Sequence, residues 1–312
     1  MHFWKKENPS LKGVSETMEV NTVEIKRVGV VGSGIMGRGI AQVAAQNGYQ
    51  VIMQDISGAI LDKAVALITT ELDKGIARGK TSEADKARVL DNLRTTTDLE
   101  ELAEADFVIE AAPEELAIKA PIFAKLDKIC APHVILATNT TSQSITKIAA
   151  ATHRPDRVVG MHFFNPVHKM KLIELVAGLE TSAETIAVAR AVATAMQKEI
   201  VQIKEFPGFV TSRMNALIGN EAFNMLMEGL GTPEDIDKAI KLGLNHPMGP
   251  FEMIDLVGLD TRLKSLEYLH QTLGDKYRPC PLHVQYVQAG RLGRKTGKGV
   301  YEYDGQGNKI MK

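Results

Sequence analysis

Cysteine is scarce in this sequence, and what little there is forms no recognisable pattern. Cys130 and Cys280 are the only two cysteines among 312 residues, and neither belongs to a CxxC pair. A disulfide framework and a thiolate metal site are therefore not expected, and a reducing compartment is indicated. The sequence predicts a cytoplasmic protein without a bound metal.

Long apolar runs and a charge of one sign are also missing. No segment approaches the roughly 18 apolar residues of a membrane span, and residues 1–25 have no apolar core of the kind a secretory signal needs. We interpret residues 1–25 as a flexible leader, either an appended tag or a poorly ordered arm. With a formal net charge of -1, neither nucleic acid nor a membrane surface is expected as a partner. An anionic substrate would have to meet local positive charges.

The regular part of the sequence begins at Lys26 and alternates between strand-like and helical segments. Helical crossovers between consecutive strands make those strands parallel. The alternation predicts an α/β fold with a doubly wound, mainly parallel sheet that carries helices on both faces. The predicted strands are 28–31, 50–54, 107–109, 134–137, 158–161, 171–176 and 199–203, and the helical stretches include 35–47 and 59–92, the latter broken near 79–81.

The pattern changes after Pro207-Gly208-Phe209, where helical runs replace the strands. Thr232 followed by Pro233 and two acids is typical of a helix start, because threonine caps the helix and the acids face the positive end of its dipole. We place a domain boundary near residue 206. The sheet domain then covers 26–206, and a second, all-α domain covers 207–312.

A glycine-rich motif, Gly32-Ser33-Gly34-Ile35-Met36-Gly37, lies between the first predicted strand and helix. The three glycines permit a tight turn, a close approach of the backbone to a pyrophosphate and close packing of helix on sheet. Asp55 ends the second strand, where a carboxylate bonds the adenine ribose hydroxyls and repels a 2′-phosphate. The motif predicts a Rossmann-type domain that binds NAD rather than NADP; a purely structural glycine turn is the alternative.

His162 stands apart from the other histidines. His133, His153, His270 and His283 lie in polar segments and are expected to be solvated, whereas His162 ends an apolar strand in the segment HFFNP. Ligands of open α/β sheets collect at the carboxyl ends of strands. A hydrogen-bonded core histidine is the other interpretation.

Glu174 strengthens the functional interpretation of His162. The two residues lie symmetrically about the loop 165–169, so antiparallel pairing of the flanking strands would place their Cβ atoms about 5 Å apart. Glu174 also interrupts the apolar run LIELV, which predicts a buried carboxylate in need of a partner. Such a pair fixes the imidazole tautomer and makes His162 a general base for alcohol oxidation. A structural His–Glu pair is not excluded by spacing alone.

In their order along the chain, the glycine motif, HFFNP, KLIELV and PGF resemble the 3-hydroxyacyl-CoA dehydrogenase family. The resemblance runs from about Val28 to Tyr303. It includes TNTT at 138–141, HPMGPF at 246–251 with Asp255, and GRKTGKG at 293–299. It implies NAD-dependent oxidation of a 3-hydroxyacyl thioester, 3-hydroxybutyryl-CoA in particular, to the 3-oxoacyl thioester, with the acyl-CoA between the two domains.

The resemblance also implies roles for individual residues. His162 is the general base, Glu174 is its partner, and Asp55 is the ribose ligand. Further contacts to the cofactor are implied for Glu114, Lys119, Thr141, Asn165 and Lys295.

Two positions depart from the family pattern. Thr141 falls where the family has a serine that bonds the 3-oxygen of the substrate, and its extra methyl implies a smaller acyl pocket. Ser212 falls where the family has asparagine, and its shorter reach leaves the same contact in doubt. The CoA-binding lysine of the family is not cleanly matched; Arg78 is the nearest basic candidate and Lys74 is a second.

A homodimer formed through the C-terminal helical domain is a further implication of the resemblance. The apolar residues that could form the dimer interface, and that packing in the core would explain equally well, are Met214, Leu217, Ile218, Phe223, Leu226 and Met227.

Two rival functions are compatible with the same glycine motif. A family relative that oxidises a sugar acid such as L-gulonate would keep the His–Glu pair without CoA recognition, and a crystallin-like protein would bind NAD without catalysis.

Overall fold

A computed structural model describes residues 24–310, so all but the last two residues of the expected leader lie outside the described residues. The strands are β1 (Arg27–Val31), β2 (Gln50–Gln54), β3 (Leu93–Thr96), β4 (Phe107–Glu110), β5 (Ile135–Thr138), β6 (Val158–Phe163), β7 (Leu172–Ala177) and β8 (Glu199–Lys204). The helices are α1 (Ile35–Gln46), α2 (Gly58–Ala77), α3 (Glu83–Asp91), α4 (Leu116–Ile129), α5 (Ile145–Ala149), α6 (Ala183–Ala195), α7 (Thr211–Met227), α8 (Pro233–Gly243), α9 (Pro250–Val257), α10 (Leu259–Leu273) and α11 (Pro281–Gln288).

All eight strands form one sheet in the order β3-β2-β1-β4-β5-β6-β7-β8. The β6–β7 pair is antiparallel and the other pairs are parallel. The chain reverses its direction of travel across the sheet between β1 and β4, which is where such sheets bind their ligands. The predicted doubly wound, mainly parallel sheet with a helical second domain is confirmed.

The central strands are buried on both faces, as parallel sheets covered by helices must be. In β4, Phe107 and Ile109 pack with α1, α2 and α6 on one face, and Val108 packs with α4 on the other. This alternation follows from the two-residue period of a strand. The apolar runs of the sequence therefore became interior strands.

β3 is a strand that the sequence analysis missed. Leu93–Thr96 lies at the edge of the sheet beside β2, with Arg94 and Thr95 exposed. An edge strand needs little apolar surface, so its sequence carries no strand-like pattern. The predicted break between the helices before it is confirmed, because α2 ends at Ala77 and the side chain of Ser82 caps α3.

The C-terminal helices enclose a separate core around Phe223, which lies edge-on to Phe251 at 5.3 Å. The expectation that His283 is solvated was wrong. His283 is buried, stacks on Phe223 at 4.6 Å and has its Nε2 3.0 Å from the carbonyl oxygen of Leu259. A polar neighbourhood in the sequence says little about the burial of a residue whose contacts, here Phe223 and Leu259, are distant along the chain.

Residues 24–310 lack two kinds of feature. None of the helices there is long and apolar enough to cross a membrane. The same residues contain no group of three or more histidine, cysteine or acidic side chains placed to hold a metal ion.

Candidate active site

The glycine motif forms the turn from β1 into α1. Gly32 has a φ of +89°, a backbone conformation that would be strained in a residue with a side chain. A Cβ on Gly37 would lie 1.7 Å from the carbonyl oxygen of Gly32, so only glycine fits there. Gly34 faces open space, and it begins α1 without any side-chain cap. The N–H groups of the first turn are therefore left for a ligand, and the positive end of the helix dipole faces it. These features fit the pyrophosphate of a dinucleotide.

Asp55 lies beside this turn, at the end of β2. Its Oδ2 accepts hydrogen bonds from the Ser33 backbone N–H at 2.6 Å and from the Ser33 hydroxyl at 2.8 Å. Ile35 and Ile56 flank the pair with exposed side chains, Ile56 being 88% exposed. A carboxylate between apolar side chains suits an adenosine, whose ribose hydroxyls need an acceptor and whose base needs apolar contact.

His162 and Glu174 are directly opposite each other in the β6–β7 ladder. Nδ1 of His162 lies 2.7 Å from Oε2 of Glu174, and the two residues are only 6% and 1% exposed. A buried carboxylate beside Nδ1 stabilises the tautomer that carries its proton there, because the N–H then donates to the carboxylate. Nε2 is left with a free lone pair. The geometry expected from the symmetric spacing is therefore present.

Helix α7 supplies the remaining partners of Glu174. Oε1 accepts from the backbone N–H of Thr211 at 2.9 Å, and Oε2 accepts from the Thr211 hydroxyl at 3.1 Å. Burial acts to raise the pKa of Glu174, but the hydrogen bonds from His162 and Thr211 outweigh it and hold the pKa below its usual range. Glu174 is thus a carboxylate at neutral pH, and it links the sheet to the first turn of the helical domain.

Two aromatic rings border the imidazole. The ring of Phe164 is centred 4.5 Å from that of His162, and the ring of Phe209 is centred 5.9 Å away. Phe209 has a φ of +48°, a backbone conformation that residues other than glycine rarely adopt. It lies in the PGF segment that leads into α7, so this segment contributes the second ring beside His162.

Glu114 organises the loop that follows β5. One carboxylate oxygen, Oε1, accepts from the Thr140 hydroxyl at 2.5 Å and from the backbone N–H groups of Thr141 and Ser142, both at 2.8 Å. Burial acts to raise the pKa of Glu114, but the charge of Lys119 and these hydrogen bonds lower it overall. Thr141 itself is exposed. Its backbone N–H donates to Glu114, whereas its hydroxyl group is not bonded to that carboxylate.

Lys119 is an interior residue rather than a surface one. Its ammonium bonds Oε1 of Glu110 at 2.7 Å and the Ala112 carbonyl at 3.1 Å, with Glu114 3.5 Å away. Its side chain is only 1% exposed. A buried ammonium needs such partners. Lys119 therefore holds Glu110 and Glu114 in place at the carboxyl end of β4.

Asn139 joins this loop to β6, the strand that contains His162. Its side-chain oxygen accepts a hydrogen bond of 2.9 Å from the backbone N–H of Phe163, the residue after His162. Thr141 and His162 therefore belong to segments that are bonded to each other. Ser212 follows Thr211 in the first turn of α7.

The other predicted contacts lie further from the pair. Asn165 is exposed in the loop after β6. Lys295 bonds both oxygens of Asp260, at 2.6 and 2.7 Å, within the helical domain. Lys74 and Arg78 are exposed near the end of α2. Lys74 bonds Glu71, whose carboxylate lies 3.8 Å from His168 in the loop after β6.

Three residues of the site went unnoticed as such in the sequence. Thr211 bonds Glu174, Phe209 borders His162, and Asn139 joins two segments. The first two adjoin the PGF motif, and the third lies within TNTT, so the motifs contained the signal. Which member of each motif faces the site depends on the turn geometry, which the residue order does not specify.

Fold and site together define a nucleotide-dependent dehydrogenase. A dinucleotide cradle and a carboxylate-backed imidazole at the carboxyl ends of one sheet are what hydride chemistry on an alcohol requires.

Comparisons with known proteins identify the family. The NAD-binding domain model of 3-hydroxyacyl-CoA dehydrogenase matches residues 27–206, and the model of the C-terminal domain of that enzyme matches residues 208–303. A relative from Bacillus subtilis, named a probable 3-hydroxybutyryl-CoA dehydrogenase, is 47% identical over 90% of this chain and 99% of its own length. The 3-hydroxybutyryl-CoA dehydrogenase of Bradyrhizobium diazoefficiens is 44% identical over 90% of this chain and 96% of its own length.

A solved structure agrees with these sequences. The (S)-3-hydroxybutyryl-CoA dehydrogenase of Ralstonia eutropha is 48% identical and superimposes with a TM-score of 0.88, covering 90% of this chain and 100% of that one. The chain belongs to the 3-hydroxyacyl-CoA dehydrogenase family, whose members are NAD-dependent dehydrogenases.

Proposed function

We propose that the protein oxidises (S)-3-hydroxyacyl-CoA thioesters, with (S)-3-hydroxybutyryl-CoA as a principal substrate, and that His162 is the general base. The observation that carries the proposal is the buried contact of 2.7 Å between His162 and Glu174 at the end of β6. The same pair would serve a sugar acid, but the relatives described above carry acyl-CoA names.

NAD, when bound, supplies the acceptor for the hydride that leaves C3 of the substrate. We assign its pyrophosphate to the turn Gly32–Gly37, its adenosine ribose to Asp55, and its nicotinamide end to the neighbourhood of Glu114, Thr141 and Asn165. Lys119 acts here by holding Glu114. We also propose that Lys295 contacts the cofactor, which requires the helical domain to approach the bound NAD.

The proton is handled by His162. With its Nδ1 proton donated to Glu174, the imidazole presents the Nε2 lone pair to the 3-hydroxyl group. Taking that proton makes an imidazolium, which the ionised Glu174 stabilises. In the reverse direction the imidazolium returns the proton to the ketone oxygen. We assign the orientation of the 3-oxygen to the hydroxyl groups of Thr141 and Ser212.

We place the CoA moiety along the end of α2. Lys74 and Arg78 are exposed cations there, and the Glu71–His168 contact brings this end of the helix to the loop after His162. Phosphates attract such cations even in a protein with almost no net charge. If the substrate were a sugar acid, Lys74 and Arg78 would have no phosphate to bind.

A homodimer through the helical domain, whose boundary we keep near residue 206, is part of the proposal. Of the apolar residues considered in the sequence, Phe223 is in the core, whereas Met214 and Met227 are 54% and 49% exposed. Leu230, Leu242 and Leu244 are exposed in the same domain. Apolar side chains concentrated in this way are typical of an interface. Sedimentation equilibrium would give twice the chain mass. A cytoplasmic location also remains part of this proposal.

The test is NADH formation from (S)-3-hydroxybutyryl-CoA by the unmodified protein and by His162→Gln. Removal of a general base typically lowers the rate by about 10² to 10⁴-fold, and we expect a loss in kcat within that range. His133→Gln, which alters an exposed histidine, is the matched control and should keep full activity. Turnover by His162→Gln close to that of the unmodified protein would refute the assignment.

A further inference from the structure

A cleft in the helical domain contains an arginine that has no partner. The cleft lies between α7, α9, α10 and the loop before α9, and it is lined by Asn215, His246, Met248, Met253, Ile254 and Arg262 among others. Among the described residues, the Arg262 side chain makes no hydrogen bond or ion pair, and its Nε is buried without an acceptor. Buried polar groups of native proteins are almost always satisfied, so this one calls for an explanation.

The surroundings of Arg262 offer no internal acceptor. None of the residues that line the cleft is acidic. Burial lowers the pKa of the guanidinium, and no carboxylate opposes that effect. An arginine remains charged even so, and leaving it unpaired is costly. The lining of the cleft is thus largely apolar, with the cationic guanidinium of Arg262 at one place in it.

The position of the cleft relates it to the active site. Thr211, Asn215 and Ile218 are spaced as i, i+4 and i+7, so they share one face of α7. Thr211 bonds Glu174, and Asn215 and Ile218 line the cleft. One helical turn, about 5.4 Å, therefore separates Thr211, which bonds Glu174, from Asn215 at the start of the cleft.

We propose that the cleft receives the far end of the acyl chain and that Arg262 binds a carboxylate there. The protein then accepts 3-hydroxyacyl-CoA thioesters of dicarboxylic acids in addition to those with a methyl end. Arginine suits this role because its planar guanidinium bonds both oxygens of a carboxylate. The apolar side chains of Met248, Met253 and Ile254 cover the methylene groups between C3 and the carboxylate. This inference rests on the proposed function, since it needs C3 at His162.

The experiment compares two substrates of equal chain length. 3-Hydroxyadipyl-CoA ends in a carboxylate, and 3-hydroxyhexanoyl-CoA ends in a methyl group. The quantity measured is the ratio of their kcat/KM values, which does not depend on the fraction of folded enzyme. We expect the unmodified protein to favour the adipyl substrate, and Arg262→Met to lower the ratio by at least about tenfold, because the carboxylate then lies buried without a partner. Arg262→Lys should restore part of it.

The controls separate the outcomes. Arg278→Gln removes an exposed guanidinium of the same domain, one that is paired with Asp275, and should leave the ratio unchanged. A ratio at or below one in the unmodified protein, or an unchanged ratio in Arg262→Met, would overturn the inference. So would a weakened dimer in Arg262→Met with both substrates affected alike, since Arg262 would then pair with a second copy of the chain. Failure of the proposed function is distinct, because 3-hydroxybutyryl-CoA would then give no NADH.

Discussion

Both domains contain carboxylates whose pKa burial acts to raise, yet the net shift of the pKa is opposite in the two domains. In the sheet domain, Glu114 and Glu174 have pKa values below their usual range. In the helical domain, Asp237 and Asp255 have raised pKa values. All four accept several hydrogen bonds, so the number of bonds does not explain the difference.

The kind of partner explains it. Glu174 lies against an imidazole and Glu114 near an ammonium, groups that are or can become positively charged. The donors to Asp255 are neutral: the backbone N–H groups of Val300 and Tyr301, at 2.8 and 2.9 Å, and the Tyr303 hydroxyl at 2.8 Å. Burial is the largest effect on the pKa of Asp255, and neither these neutral donors nor the more weakly acting charge of Arg291 overcomes it.

The carboxylates of the two domains therefore have different roles. Asp255 fastens the C-terminal segment to α9, and a Cβ on Gly299 would lie 2.0 Å from its Oδ1. Asp237 holds the start of α9 through the backbone N–H of Phe251. Glu174, in contrast, stays ionised next to His162, to which we assign the gain and loss of a proton. Burial by itself therefore does not distinguish the two kinds of carboxylate, whereas the charge that a partner carries or can gain does.

The largest expected effect comes from Glu174→Gln. The amide can still accept from Thr211, so folding should survive, but it can no longer stabilise the imidazolium. We expect kcat for 3-hydroxybutyryl-CoA to fall by about 10³-fold. Steady-state assays alongside circular dichroism would measure both. A fall of less than about threefold would place Glu174 with the structural carboxylates.

Asp255→Asn should show the opposite combination. The amide nitrogen cannot accept, so at least one buried donor loses its acceptor, which costs about 1–3 kcal/mol. We expect the free energy of unfolding to fall by that amount while kcat at 25 °C changes little. Urea denaturation and the NADH assay test the two halves. A variant as stable as the unmodified protein would show that the fastening of residues 299–303 adds nothing.

The smallest effect is a difference in pH dependence. Because the pKa of Asp255 is raised above 3.8, its contribution to stability is full below that pH and declines as pH rises through the raised value. Because the pKa of Glu174 is lowered below 4.5, its contribution is full above that pH and declines as pH falls through the lowered value.

Unfolding curves at several pH values would reveal these slopes. The stability of the unmodified protein relative to Asp255→Asn should decrease as pH rises from about 4, and its stability relative to Glu174→Gln should decrease as pH falls below about 4.5. Slopes of the same sign would contradict the contrast between the domains.

Much of the fold and of the candidate site could be predicted because the relevant signals are local. The apolar strands, the glycine turn before α1 and the opposition of His162 and Glu174 all follow from short-range patterns. The pairing was predictable because two antiparallel strands joined by one loop have a register that is symmetric about that loop, here residues 165–169.

Other features had no such local signal. The edge strand β3 lacks an apolar pattern, and His283 is buried by neighbours that are distant in sequence. Thr211 reaches Glu174 across 37 residues. Lys119 reads as a surface cation in the sequence, yet its stem and ammonium are enclosed. Each depends on how helices pack on the sheet.

The sequence by itself determined most of the elements, their order, the glycine turn and the opposition of His162 and Glu174, because backbone geometry and strand register act over a few residues. The tertiary structure alone decided which carboxylates meet a proton-accepting partner, which polar groups remain unsatisfied and where the cleft opens. Those properties depend on desolvation and on the fields of distant groups, which arise only once separate segments have been packed together.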